Sequence, residues 1–241
     1  MAQERHAKTE GAPGDARNRI VDALMALAAE RRFEEIAIRD VCAAAKVSLA
    51  DFRDAFPSKG AILAGFAKRV DRAVLSQGDE ELAREAPRER LFDVLMRRLD
   101  AMAPYREGLR EITAWLRRDP VAALAMNQSI VNSMRFMLEA AGIDSQGVAG
   151  AIKLQGLALA WMRIVAVWLD DSEPELSKTM AELDRELTRG ERAVAGIDRL
   201  DRFAAPFKAV ALAAFEQRRR ARDAFRRRPR ESDARRDADM T

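Results

Sequence analysis

The sequence predicts an all-α protein, and three observations lead to this prediction. Apolar residues recur at intervals of three and four along most of the 241-residue chain, which places them on one face of a helix. No segment alternates between apolar and polar residues in the way that a half-buried strand requires. Prolines and helix-capping residues stand where one periodic segment ends and the next begins. We therefore expect about ten helices, divided by these signals.

Four helices are predicted in the N-terminal third of the chain. The first begins at Asp15 and ends at Arg31–Arg32. Two short helices, Ile38–Ala45 and Leu49–Phe56, follow and are separated by only three residues. A longer helix begins at Pro57-Ser58. Two short helices joined by a tight turn are typical of a DNA-binding helix-turn-helix, whose second helix enters the major groove.

The turn itself supports the helix-turn-helix prediction. Ser48 is placed to cap the second short helix, and Asp51, three residues later, completes a capping box. Val47 and Phe52 are placed to fill the space between the two helices. The local signals for the turn and for the packing of its two helices therefore agree.

The segment from Arg17 to Val70 resembles the DNA-binding region of the TetR/AcrR-type transcriptional regulators. The spacing of the two short helices, Ala45, Val47-Ser48 and the run Phe56-Pro57-Ser58-Lys59 carry the resemblance. It implies a three-helix DNA-binding head on a helical-bundle body that binds a ligand and dimerises through its last helices. The resemblance therefore implies a homodimeric regulator, of the repressor type, that binds a double-stranded DNA operator and senses a small hydrophobic ligand.

The chain departs from the pattern of this family in and beside the second short helix. Lys46 stands where the family usually has glycine, so it must adopt a left-handed conformation at some cost. Asp51 and Asp54 place negative charge on the helix that approaches the phosphates. Asp51 is compatible with DNA if it serves the cap, and Asp54 if it accepts a hydrogen bond from a cytosine amino group. The alternative is that the three-helix unit persists as a fold without binding DNA.

The residues expected at the DNA include three cations. The side chains of Arg39, Arg53 and Lys59 are predicted to contact phosphates. The full set of predicted DNA-binding residues is Arg39, Ser48, Leu49, Ala50, Arg53, Asp54 and Lys59.

Further helices are predicted to form the body. Pro87 and Pro104 open two of them, because proline suits the first helical turn. Asp119-Pro120 combines an N-cap with such a proline. Asp144 is predicted to cap the most apolar helix, and Ser172-Glu173-Pro174-Glu175 to form the capping box of the next one.

The tryptophans and many methionines lie in this predicted body, where they suggest two interpretations. The apolar stripe is either an ordinary core or the wall of a pocket for a hydrophobic molecule, since ligand cavities often lie between bundle helices and methionine adapts to irregular spaces. The predicted pocket residues are Met96, Met102, Trp115, Met126, Ile130, Met134, Met137, Leu154, Leu157, Trp161, Val165 and Trp168.

A second resemblance covers part of the body. Arg88–Met102 with Ala103–Glu107, and later Trp168–Glu173, resemble the lipid-binding accessory proteins of ubiquinone biosynthesis. This resemblance implies the same fold without DNA binding, an isoprenoid-like lipid as ligand, and a C-terminal amphipathic helix that contacts a membrane.

The C-terminal segment has its own pattern. A last helix is predicted over Glu191–Arg227, with an apolar face from Leu200 to Phe215 and a basic cluster over Arg218–Arg230. This segment is expected to contact an anionic membrane surface, to pair with its copy in a dimer, to cover the body, or to remain a solvated run of charges. The sequence pattern leaves these four alternatives open.

Composition excludes several classes of function. Charged residues make up 34% and hydrophobic residues 48% of the chain, as in ordinary soluble proteins. With one cysteine, Cys42, and one histidine, His6, the chain has too few ligands for a disulfide scaffold, a metal cluster or a histidine-based catalytic centre. We therefore expect no enzymatic activity, no cofactor and no metal.

Met1–Gly14 lacks the apolar core of a secretory signal, and Leu154–Leu169 is shorter than the ~20 residues of a membrane span, so we expect a cytoplasmic protein.

These features predict four regions. They are a disordered tail over residues 1–14, a helix-turn-helix domain over 15–75, a ligand-binding and dimerisation body over 76–227, and a charged tail over 228–241. Two functions follow from them: a ligand-responsive dimeric transcriptional regulator, or a lipid-binding accessory protein of the same fold.

Overall fold

The computed structural model describes residues 13–77 and 84–196. All regular elements in these ranges are helical, which confirms the predicted all-α class. Short 3-10 turns, Phe33–Glu35 and Ala103–Tyr105, lie between some of the helices. The α-helices are α1 (Pro13–Glu30), α2 (Ile38–Ala45), α3 (Leu49–Ala55), α4 (Lys59–Leu75), α5 (Pro87–Met102), α6 (Arg106–Arg118), α7 (Pro120–Ala140), α8 (Gly147–Asp170) and α9 (177–196).

Most of the predicted helix starts are confirmed, because they depend on local hydrogen bonds. The Ser48 hydroxyl accepts from the backbone N–H of Asp51 at 3.0 Å, at the start of α3. The Ser58 hydroxyl caps α4 in the same way. Asp119 caps α7 by accepting from the N–H of Ala122 at 2.9 Å. Each cap satisfies a backbone donor that has no partner within the helix.

Two predicted caps are wrong, and in both cases a turn intervenes. Asp144 accepts from the N–H of Gln146 at 2.9 Å, but α8 begins only at Gly147. Residues 172–175 do not form a capping box, because Leu176 has a positive φ of 50° and separates the turn from α9. Asp171 caps α9 instead, accepting from the backbone N–H of Thr179 at 2.9 Å and from its hydroxyl at 2.7 Å.

Helix α1 is the centre of the first four helices, which we call the head; α5–α9 are called the body. The apolar face of α1, with Ile20 and Leu24 fully buried, packs against α2, α3 and α4. Phe52 of α3 and Phe56 after it are buried in the same core. Helix α1 also packs against α6, and α4 packs against both α5 and α7, so head and body meet along these helix pairs.

Helix α8 buries one face within the body. Its buried face includes Leu154, Trp161 and Trp168. By length and composition alone this helix is apolar enough to cross a membrane, but half of its most apolar window is buried against the rest of the protein. Burial of this kind is typical of the core helix of a soluble bundle.

The C-terminal predictions lie mostly outside the described residues. Residues up to Glu191 form one compact unit, and those from Arg192 onward belong to a second. Helix α9 continues without a break from residue 177 to residue 196, so the prediction that a separate last helix begins at Glu191 is wrong. Helix α1 begins at Pro13, two residues before the predicted start, so the last two residues of the predicted N-terminal tail are helical. The rest of that tail, the predicted apolar face from Leu200, the basic cluster and the charged tail lie beyond the described part of the chain.

Candidate DNA-binding face and ligand-binding body

The turn between α2 and α3 has the geometry that the sequence predicted. Lys46 adopts φ 54° and ψ 48°, the left-handed conformation. Its N–H bonds back to α2, and the chain then reverses through Val47 into the Ser48 cap. Phe52 is buried between the helices, with Val47 packed against the same core. This packing fixes the outer face of α3 relative to α2.

The outer face of α3 presents most of the predicted DNA-binding residues to solvent. Leu49 is 66% exposed, unusually so for a large apolar side chain, and Ala50 and Arg53 are exposed beside it. On α2 the side chain of Arg39 is 87% exposed, and its contact with Asp40 at 3.9 Å is long. Leu49 and Arg53, four residues apart, lie on one exposed face of α3, as direct contact with a major groove requires.

The two aspartates of α3 differ in their surroundings. The Asp51 carboxylate accepts from the backbone N–H of Ser48 at 3.0 Å and from its hydroxyl at 2.7 Å, which completes the predicted capping box. Asp54 is exposed and has no side-chain partner among the described residues. Asp51 therefore has a structural use, whereas the charge of Asp54 is uncompensated within the described chain.

The prediction that Lys59 contacts phosphate is wrong. Its ammonium donates to the carbonyls of Phe33 and Ile36, and lies 4.3 Å from the centre of the Phe33 ring. Burial lowers the pKa of Lys59, and the nearby Glu34 carboxylate only partly offsets this. The ammonium is held inside the head, so it stabilises the segment after α1 rather than facing outward.

Two cations near α3 were not among the predicted DNA-binding residues. Lys46 is exposed at the turn, where its side chain adds positive charge beside the Ser48 cap. Arg17 of α1 donates to the carbonyl of Ala55, at the C-terminal end of α3, and stacks 4.1 Å from the centre of the Phe56 ring. The exposure of Lys46 follows from its place in a turn, but the contact of Arg17 depends on tertiary packing.

Most of the predicted pocket residues lie in the core of the body. Met96, Met126 and Ile130 are partly buried at its edge. The residues that are at least nine-tenths buried are Met102, Met134, Met137, Leu154, Leu157, Trp161, Val165 and Trp168. Burial agrees with both interpretations, a filled core or the wall of an enclosed cavity.

Trp115 lies apart from the other predicted pocket residues. Its ring packs against Phe33 of the head, with the ring centres 4.3 Å apart. The backbone N–H of Phe33 donates to the Glu111 carboxylate, one helical turn before Trp115, at 3.1 Å. Trp115 therefore belongs to the contact between head and body, and its assignment to the ligand pocket stays a prediction.

Two tryptophans of α8 lie beneath arginines. Arg98 of α5 lies 5.2 Å from the Trp161 ring, and Arg106 of α6 lies 5.0 Å from the Trp168 ring. Arg106 also donates to the carbonyls of Trp168 and Asp171 at the end of α8. Such cation–π contacts are strong when they are shielded from water, so these rings have a clear structural function.

A buried polar cluster joins α4 to the body. Arg98 is 4% exposed, and its guanidinium pairs with the Asp71 carboxylate of α4. The Ser133 hydroxyl of α7 donates to the same carboxylate. Burial lowers the pKa of Arg98 to about 10, so this side chain remains cationic at neutral pH.

A groove of about 800 Å³ lies beside this cluster, between α4 and α7. Its walls include Phe56 and Pro57 from the head and Asn132 and Phe136 from the body. None of the residues predicted to line a ligand pocket contributes to it. The groove depends on contacts between distant helices, and no local pattern in the sequence indicates it.

One face of α8 leaves apolar side chains uncovered. Val148 is 81%, Ile152 49% and Leu159 51% exposed, and Met162 continues the stripe at 36%. Their spacing of three, four and seven residues places them on a single side of the helix.

Comparison with protein-family models and with curated proteins gives no match. The structure is similar to a TetR transcriptional regulator from Nitrosomonas europaea, with a TM-score of 0.58 and 22% identity over 73% of this chain and 97% of that one. It is also similar to a TetR transcriptional regulator from Rhodococcus sp. RHA1, with a TM-score of 0.53 and 19% identity over 74% and 97% of the two chains. The chain has the TetR-regulator fold. Both neighbours are regulators and not enzymes, and neither is a lipid-binding accessory protein, so that second resemblance stays a prediction.

Proposed function

We propose that the protein is a dimeric cytoplasmic transcriptional regulator, of the repressor type, that binds operator DNA through α2 and α3. The observation that carries this proposal is the outward face of α3, where Leu49, Ala50 and Arg53 are exposed on a capped helix. Arg39 and Lys46 flank this face with further positive charge. An apolar residue such as Leu49 suits contact with a thymine methyl, and the arginines suit guanine or phosphate.

The proposed dimer uses the apolar face of α8. A second copy would cover Val148, Ile152, Leu159 and Met162, which are otherwise exposed to water. Replacing Ile152 with Glu is expected to raise the dimer dissociation constant by about 100-fold, because an unpaired charge would be buried. Sedimentation velocity measures this, with Val121→Glu on α7 as a control at an exposed apolar residue outside the α8 face. Equal dimerisation of wild type and Ile152→Glu would place the dimer contact elsewhere.

The DNA-binding proposal is tested by selection from genomic DNA followed by a salt series. A dimer of this fold should recover a palindrome whose half-sites lie about 34–36 Å apart. Arg53→Ala should weaken binding by about tenfold and reduce the salt slope by roughly 0.9, the contribution of one phosphate contact. Arg135→Ala is the control, since Arg135 is exposed on α7. Recovery of no preferred site at low salt would refute the regulator function.

We propose further that the body senses a small hydrophobic ligand, along the stripe from Leu154 to Trp168. The support is the clustering of methionine and tryptophan around α8. Extraction of the purified protein with organic solvent, followed by mass spectrometry, should release an apolar molecule. If the stripe is only a filled core, nothing co-purifies and Trp161→Ala costs about 3–5 kcal/mol of stability.

The lipid-binding accessory function is the second candidate, and Asp54 is the observation that favours it. This aspartate lies exposed on α3 without a partner among the described residues, where it would repel phosphates. The two functions differ in their expected outcomes. An accessory protein should yield a bound isoprenoid-like lipid and no preferred DNA site, whereas a regulator should select a preferred DNA site.

A further inference from the structure

The groove between α4 and α7 combines surfaces of the head and of the body. Phe56 and Pro57 line it at the end of α3, Ala64 and Lys68 line it on α4, and Asn132 lies opposite on α7. Its volume of about 800 Å³ is within the range of small-molecule sites. A molecule in this groove would therefore contact head and body at once.

Two cations on one side of α4 face this groove. Lys68 and Arg72 are one helical turn apart, both are exposed, and neither side chain has a partner among the described residues. Like charges at this spacing repel each other and destabilise a helix slightly. An anion bound between them would remove this repulsion.

The acidic residue of the groove does not cancel these charges. Asp71 also lines it, but its carboxylate is paired with the buried Arg98 and accepts from Ser133. Arg17 contributes a further positive charge at the head end, although it also donates to the Ala55 carbonyl. The charge that the groove presents to a ligand is therefore positive.

The rest of the groove is largely apolar. Leu75 is 41% and Phe136 47% exposed, and both line it together with small side chains of α4. Ser129 and Asn132 on α7 supply hydrogen-bonding groups within the same walls. Positive charge beside exposed apolar surface is complementary to a molecule that has an anionic head and an apolar chain.

We propose that this groove is a binding site for an amphipathic organic anion, with a carboxylate or phosphate group at Lys68 and Arg72 and an apolar chain along Leu75 and Phe136. This site is separate from the predicted stripe on α8, and its occupation does not depend on DNA binding.

The test is isothermal titration calorimetry of the full chain with sodium decanoate below its micelle concentration. Acetate lacks the chain and octyl glucoside lacks the charge, so both should bind much more weakly. The double variant Lys68→Gln/Arg72→Gln should lose about tenfold in affinity, the worth of two partly exposed charge contacts. Arg135→Gln removes an exposed cation of α7 that does not line the groove, and should bind decanoate like wild type.

A second variant tests the location without changing charge. Ala64→Phe places a ring in the groove while Lys68 and Arg72 remain, so it should also abolish decanoate binding. A melting temperature equal to that of the wild type would show that the fold of each variant is intact.

Three outcomes would overturn the proposal. They are no binding by wild type, equal binding by wild type and the double variant, and binding retained when Ala64→Phe fills the groove. Vesicles containing phosphatidylglycerol distinguish the source of the anion: sedimentation with vesicles in the absence of decanoate binding would indicate a membrane-surface patch and refute the small-molecule site.

Discussion

The α1 side and the α4 side of the contact between head and body are built differently. Where α1 meets α6, the helices approach so closely that a Cβ on Gly108 would lie 2.5 Å from the carbonyl oxygen of Met25. Where α4 meets α5 and α7, the contact includes the pair between Asp71 of α4 and Arg98 of α5, Ser133 of α7 and the open groove. The first contact leaves no space for adjustment, whereas the second holds polar groups beside unfilled volume. If the head changes its orientation, we therefore expect it to rotate about the contact between α1 and α6. The contact of α4 with α5 and α7 would then determine the angle of the head.

The largest expected effect comes from breaking the buried ion pair between Asp71 of α4 and Arg98 of α5. Arg98→Ala leaves the Asp71 carboxylate without its cation, and should lower the free energy of unfolding by about 3–5 kcal/mol. Urea denaturation measures the loss. The double variant Asp71→Asn/Arg98→Met should recover much of it, because no unpaired charge remains. A loss below ~1 kcal/mol for Arg98→Ala would mean that water reaches this cluster.

A smaller loss is expected on the α1–α6 side. Gly108→Ala should cost about 1–3 kcal/mol, because the added methyl group meets backbone and not a flexible side chain. Gly190→Ala on α9 is the matched control, since its added methyl group meets nothing within 4 Å. That substitution should stabilise the protein by roughly 0.5–1 kcal/mol, as alanine does in helices. A melting temperature that falls in Gly108→Ala and rises in Gly190→Ala would confirm the close approach of α1 and α6.

The smallest effect concerns Lys59, which supports the segment that packs on Trp115. Lys59→Met removes its hydrogen bonds to the Phe33 and Ile36 carbonyls and should cost about 1 kcal/mol. DNA affinity, measured well below the melting temperature, should not change, in contrast to that of Arg53→Ala. A loss of DNA affinity equal to that of Arg53→Ala would mean that Lys59 contacts DNA after all.

Features with a local cause were predictable from the sequence, and features with a tertiary cause were not. The Ser48–Asp51 box and the Asp119 cap join residues three apart, so the residue types alone indicate them. The left-handed Lys46 followed from its place in the turn.

Two predicted caps, Asp144 and residues 172–175, failed because a turn precedes the helix. The other failures came from contacts between residues far apart in the chain. Lys59 reaches a carbonyl 26 residues away, and Phe33 and Trp115 meet across different helices. The groove of Lys68 and Arg72 is lined by residues of α4 and α7 that lie more than 50 positions apart in the chain. Periodicity identifies which side of a helix is buried, but it does not say which helix covers it.

The left-handed backbone of Lys46 implies a compromise between folding and affinity. A lysine in this conformation costs roughly 1 kcal/mol more than a glycine, because its Cβ crowds the neighbouring carbonyl. The same residue holds an exposed ammonium next to the face proposed to bind DNA. If α3 binds DNA as proposed, a glycine at this turn would give a more stable protein whose DNA binding is weaker and less sensitive to salt.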